Sequence, residues 1–122
     1  MMKKNAGFAE VPINVTRLNE VLYETYYSNK KEIDVPSRIK DIYSFATILK
    51  TNITGGKVND FLKQIRKLFY SKENTQNQIL ITDFINDTLE PFELATLAEQ
   101  IKNASRRILS PKMKLVIIAE LH

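Results

Sequence analysis

Val58, Phe61, Leu62, Ile65, Leu68 and Phe69 fall three and four residues apart, the interval that lines side chains along one face of an α-helix. A helix with so continuous an apolar stripe has to bury it against other elements. The same period recurs along most of the chain. Leu18, Val21, Leu22 and Tyr26 predict a helix over about 14–28, closed by Asn29-Lys30-Lys31. Ile39, Ile42, Tyr43, Ala46 and Leu49 predict a second over about 36–50, opened by Pro36. Proline fits a first helical turn because its missing N–H has no partner to lose there. The stripe at 58–69 belongs to a third helix over about 57–71. Ile81, Phe84, Ile85 and Leu89 mark a fourth over 78–89. Pro91 opens a fifth, in which Leu94, Leu97, Ala98, Ile101 and Ile108 keep the period to about 109.

Ser110-Pro111 has the form of an N-cap followed by a first-turn proline. The segment behind it, Met113–Leu121, is apolar nearly all round. Periodicity there fits either a buried helix or a short strand over Leu115–Ile118, and the Ser-Pro start favours the helix. Thr51–Gly56, with paired glycines, and Lys72–Asn77, wholly polar, read as breaks. No Asn-Gly type hairpin signal lies between alternating runs. The expected architecture is all-α, a bundle of about five to six helices. Residues 1–12 form an N-terminal arm ending at Pro12, and 13–122 form one domain. At 122 residues the chain is long enough for a single core.

Residue types exclude much chemistry. There is no cysteine, so neither a disulfide nor a thiolate metal site is available. The lone histidine, His122, is the last residue, a poor place to hold a general base rigidly. The remaining nucleophiles are Ser, Thr and Lys, with no activating base near them in sequence. Gly55-Gly56-Lys57 lacks the glycine spacing, the Ser/Thr after lysine and the preceding strand of a phosphate loop. Asp83 and Asp87 lie one helical turn apart and suit a solvated acidic face better than a cation site, which would need further ligands. No enzyme, cofactor or metal is therefore expected. The lysines at the N-terminus have no apolar stretch behind them, and the longest apolar run is too short to span a bilayer. A cytoplasmic location without membrane attachment follows as an expectation.

Charge is sorted along the chain. The net charge is +4. Residues 51–72 carry Lys57, Lys63, Arg66, Lys67 and Lys72 against Asp60. Residues 73–99 carry six acids and no base. Residues 100–122 carry Lys102, Arg106, Arg107, Lys112 and Lys114 against Glu120. Two basic blocks thus flank an acidic one, and local fields of this kind are hidden in the net charge. On the third helix Lys63, Arg66, Lys67 and Tyr70 recur at i, i+3, i+4 and i+7, opposite the apolar stripe. Such a ridge can neutralise successive phosphates and release counterions. Lys102, Arg106 and Arg107 make a similar patch on the fifth helix. Tyr23, Tyr26, Tyr27, Tyr43 and Tyr70 are amphipathic aromatics suited to helix-edge packing or to stacking on bases.

Arg38–Leu49 (RIKDIYSFATIL) and Asp60–Phe69 (DFLKQIRKLF) give a helix, a short polar break, then a basic helix. This pattern resembles the helical small subunits of class 1 CRISPR effector complexes. The resemblance covers about a quarter of the chain. It implies a basic helical bundle within an antiviral-defence ribonucleoprotein, contacting crRNA or target-strand backbone through Lys63, Arg66, Lys67, Arg106 and Arg107. A second likeness is to the TerB-like helical domain, carried by Ile53–Asp60 (ITGGKVND) and Leu109–Leu115 (LSPKMKL). Its turn here, Thr54-Gly55-Gly56, lacks that family's acidic residue, so no metal role is carried over. The likeness implies a protein-interaction module.

The functional expectation is a non-catalytic binder of RNA or single-stranded DNA backbone within a larger complex. Its candidate contacts are Lys63, Arg66, Lys67, Tyr70, Lys102, Arg106 and Arg107. The alternative is a protein–protein module whose opposite charge blocks drive association with itself or a partner subunit.

Overall fold

The structure, a computed structural model, describes residues 13–26, 35–69 and 74–122. Among these the backbone forms six helices and no strand. They are α1 (Val15–Tyr26), α2 (Val35–Thr54), α3 (Asn59–Phe69), α4 (Asn74–Thr88), α5 (Pro91–Asn103) and α6 (Pro111–Glu120). The expected arm, residues 1–12, lies outside the described residues, as do Tyr27, Tyr70 and the end of the first helix.

Each boundary has a local cause. Asn14 caps α1, its Oδ1 accepting the Arg17 main-chain N–H at 3.0 Å. The α2–α3 join is built by glycine. Gly56 sits at φ +71°, where residues with a Cβ are strained. Its N–H donates to the Ile53 carbonyl, and that of Lys57 donates to the Asn52 carbonyl. This paired closure satisfies carbonyls that a helix end leaves open. At α5, Pro91 takes the first turn and the Glu93 carboxylate accepts the Glu90 N–H at 2.8 Å. At α6, the Ser110 hydroxyl accepts the Met113 N–H at 3.2 Å ahead of Pro111.

The bundle is centred on α1, which packs on α2, α3 and α4. Helices α3 and α4 pack together, α2 packs on α5, and α5 on α6. Leu18 and Leu22 of α1 meet Leu49 and Ile53 of α2, the α3 stripe, and Ile81 and Ile85 of α4 in one buried cluster. Leu97 and Ile101 of α5 and Ile117 of α6 extend it. Val58, Phe61, Leu62, Ile65 and Phe69 are all buried, as their spacing requires, and Leu68 packs partly buried against them.

Four boundaries and three burials differ from the sequence reading. Helix α2 runs on through Thr54, so the break before α3 is shorter than Thr51–Gly56. Helix α4 begins at Asn74, because polar residues continue a helix at modest cost although they set no apolar phase. Helix α3 starts at Asn59, after the glycine closure has run through Lys57. Helix α5 stops at Asn103, six residues before the expected 109. Ala104 turns extended, with ψ 146°, and the Ser105 hydroxyl accepts the Arg107 N–H at 3.0 Å, a local bond that competes with the helical one. Tyr26, Ile39 and Tyr43 share the apolar phase of their helices yet stay exposed, because they border an open cleft. Met113–Glu120 is helix, with Leu121 its extended C-cap, and no helix among the described residues is long and apolar enough to cross a membrane.

Candidate nucleic-acid interface

Helix α3 turns its apolar stripe into the core, which leaves Lys63 and Lys67 exposed on the opposite face with Arg66 half-buried beside them. Arg66 does not extend into solvent with the lysines. Its guanidinium donates to the main-chain carbonyls of Arg107 and Ile108, the latter at 3.3 Å. Both bonds leave from Nη1, so Nη2 and Nε keep donors for another partner.

The segment that receives Arg66 is the α5–α6 turn. Arg106 and Arg107 stand exposed on this turn and not on a continued helix, which corrects their expected placement. The turn is held by the Ile108 and Leu109 N–H groups on the Ser105 carbonyl at 2.9 and 3.0 Å. The Lys114 ammonium donates to the carbonyls of Lys102 and Ala104, at 2.9 and 2.6 Å. A cation on the last carbonyls of a helix satisfies acceptors that α5 leaves open and favours the negative end of its dipole. Lys102 itself is exposed at that end.

Two basic blocks that are separate in sequence are therefore stitched together in space. Arg66, on the helix that carries Lys63 and Lys67, meets the turn bearing Arg106 and Arg107, and Lys102 lies exposed at the end of α5 that leads into that turn. Among the described residues, the ion pairs join Arg17 to Glu20 and Asp41, and Arg38 to Glu24, all on α1 and α2. None of them neutralises this basic surface. Tyr70 lies outside the described residues. The spacing of the sequence exposed the α3 ridge but concealed Lys114, whose role depends on carbonyls ten and twelve residues earlier, and the bridging use of Arg66.

Two of the acids in residues 73–99 lie on α4. Asp83 and Asp87 of α4 are exposed along a cleft of about 690 Å³ between α1, α2 and α4. Among the described residues no group of three or more His, Asp or Glu side chains is placed to hold a metal ion. No protein-family model, curated protein or solved structure matches this chain.

Proposed function

We propose that this protein is a non-catalytic nucleic-acid-backbone-binding subunit of a larger ribonucleoprotein, akin to the small subunits of CRISPR effector complexes. The observation that carries the reading is the Arg66 contact with the Arg107 carbonyl, which makes one cationic surface from two basic blocks. Lys63, Lys67, Lys102, Arg106 and Arg107 neutralise phosphates, and Arg66 chiefly sets their relative position. Contacts of this sort fix a backbone without reading bases. RNA and single-stranded DNA both present the spaced charges that such a surface needs. Asp60 shares the exposed face of α3 with Lys63 and Lys67, and the cations outnumber it across the joined surface, so the local field stays positive.

The test is fluorescence anisotropy of a labelled single-stranded RNA at low and moderate salt. The wild-type chain should bind with steep salt dependence and little preference for sequence. Reversing Lys63, Lys67, Arg106 and Arg107 to Glu should abolish binding while circular dichroism stays helical. Absence of binding at low salt, or binding that the reversal leaves intact, defeats the proposal.

A further inference from the structure

Helix α6 is apolar almost all round, yet only Met113 and Ile117 are buried among its residues. Lys112, Leu115, Val116 and Ala119 stand exposed at i, i+3, i+4 and i+7, a single outward stripe. Leu115 is 71% exposed. A helix that is hydrophobic on every side is normally covered on every side. The outer stripe of α6 has no cover within the described residues.

The cleft between α1, α2 and α4 has the complementary character. Leu80 and Phe84 lie buried at its base, Tyr26, Ile39 and Tyr43 are exposed at its rim, and Asp83 and Asp87 edge it. Tyr43 is 70% exposed, so the rim as well as the base presents aromatic surface. Among the described residues neither carboxylate has an ion-pair partner.

We propose that the outer stripe of α6 docks into this cleft on a second copy of the chain. Leu115 and Val116 enter between Tyr26, Tyr43 and Phe84, and Lys112 meets Asp83 and Asp87. Seating one apolar helix face in a groove is a common mode of recognition, and charge at one end of the stripe sets its direction. The occupant is a second copy because α6 cannot turn into the cleft of its own chain. Its start is tied to α5 by Lys114. Its end is tied to α4, where the Asn86 amide donates to the Glu120 carbonyl at 2.8 Å and accepts the His122 N–H at 3.0 Å. The two surfaces differ, so the contact is heterologous. This inference does not rest on nucleic-acid binding, because it uses none of the residues assigned to that role.

The experiment is sedimentation equilibrium on the full chain across a concentration series at low salt. The wild-type mass should rise above that of a monomer. Leu115→Asp, which spoils the stripe, and Asp83→Lys with Asp87→Lys, which spoils the cleft edge, should each give a folded monomer. Mixing the two variants should restore a heterodimer, since one keeps the cleft and the other keeps the stripe. Restored association when Lys112→Glu is added to the Asp83→Lys, Asp87→Lys chain would confirm the pairing of charges. A wild-type chain that stays monomeric up to about 1 mM, the scale of the weakest specific contacts, overturns the proposal. So does association that both variants retain, or a mixture that stays monomeric. RNA retention by Leu115→Asp should equal wild type, which keeps failure here distinct from failure of the nucleic-acid reading.

Discussion

The guanidinium of Arg66 donates to the main-chain carbonyl of Arg107, 41 residues further along the chain. This bond joins the end of α3 to the turn after α5 and sets the spacing of the cations around it. A charged donor on a neutral carbonyl stabilises more than a neutral pair, but this one is partly solvated, so Arg66→Met should lower unfolding free energy by about 1 kcal/mol. RNA affinity should fall further than for Lys63→Met, because both a charge and the relative placement of Arg106 and Arg107 are lost. Urea unfolding and anisotropy on the two variants make the comparison. Equal loss of affinity from both would reduce Arg66 to one more charge.

Lys63 and Lys67 stand exposed on the solvent side of α3, with Lys67 in its last turn. Replacing both with Gln should move the urea midpoint only slightly, by the roughly 0.3–1 kcal/mol that a cation contributes at a helix C-terminus. It should flatten the plot of log affinity against log salt by about 1.4, since each phosphate contact on a single strand contributes about 0.7 to that slope. A slope that does not change would place the lysines off the nucleic-acid path.

The α3 ridge was legible in the sequence because a surface helix states its two faces by period alone. The core was legible for the same reason, and Val58, Phe61, Leu62, Ile65 and Phe69 lie buried where their spacing puts them. What period cannot show is where a helix stops. The fifth helix keeps apolar residues in phase through Ile108, but the Ser105 hydroxyl diverts the backbone and moves Arg106 and Arg107 onto a turn. Nor does period tell a buried apolar residue from one at a cleft. Ile42 and Ala46 are in phase with Leu49, yet only Leu49 is fully buried, and Ile42 lines the cleft. The joining of the two basic blocks depends on a side chain meeting a distant main chain, and no local pattern encodes that.

Gly56 ends α2 with a positive φ, and a Cβ added there would meet nothing within 4 Å. The cost of a side chain is therefore conformational and not steric crowding. Gly56→Ala should destabilise by about 1–2 kcal/mol, the strain of left-handed backbone with a Cβ. Gly56→Asn should recover part of that, since asparagine tolerates this region better. Thermal unfolding of the two variants side by side checks the order, and an Ala variant as stable as wild type would show that the turn can close another way.

Gln64 points from α3 to the entry of α1, with partners in both directions. Its Nε2 donates to the Ile13 carbonyl at 2.7 Å, and its Oε1 accepts the Val15 N–H at 3.1 Å. The Val15 amide opens the helix and has no acceptor within α1, so the glutamine supplies what the backbone lacks. Ile13 and Val15 are both fully buried, which leaves water little access to the groups that Gln64 satisfies. Gln64→Leu keeps the bulk but removes both bonds, and should cost about 1–3 kcal/mol, the penalty of leaving a polar group unsatisfied away from water. Amide hydrogen exchange separates this from a general loss of stability. The Val15 amide should exchange much faster in the variant, while the Arg17 amide, held by the Asn14 side chain, should keep its protection relative to the core. Equal acceleration at both amides would mean that the whole start of α1 frays, and Gln64 would then be holding the helix in place through packing alone.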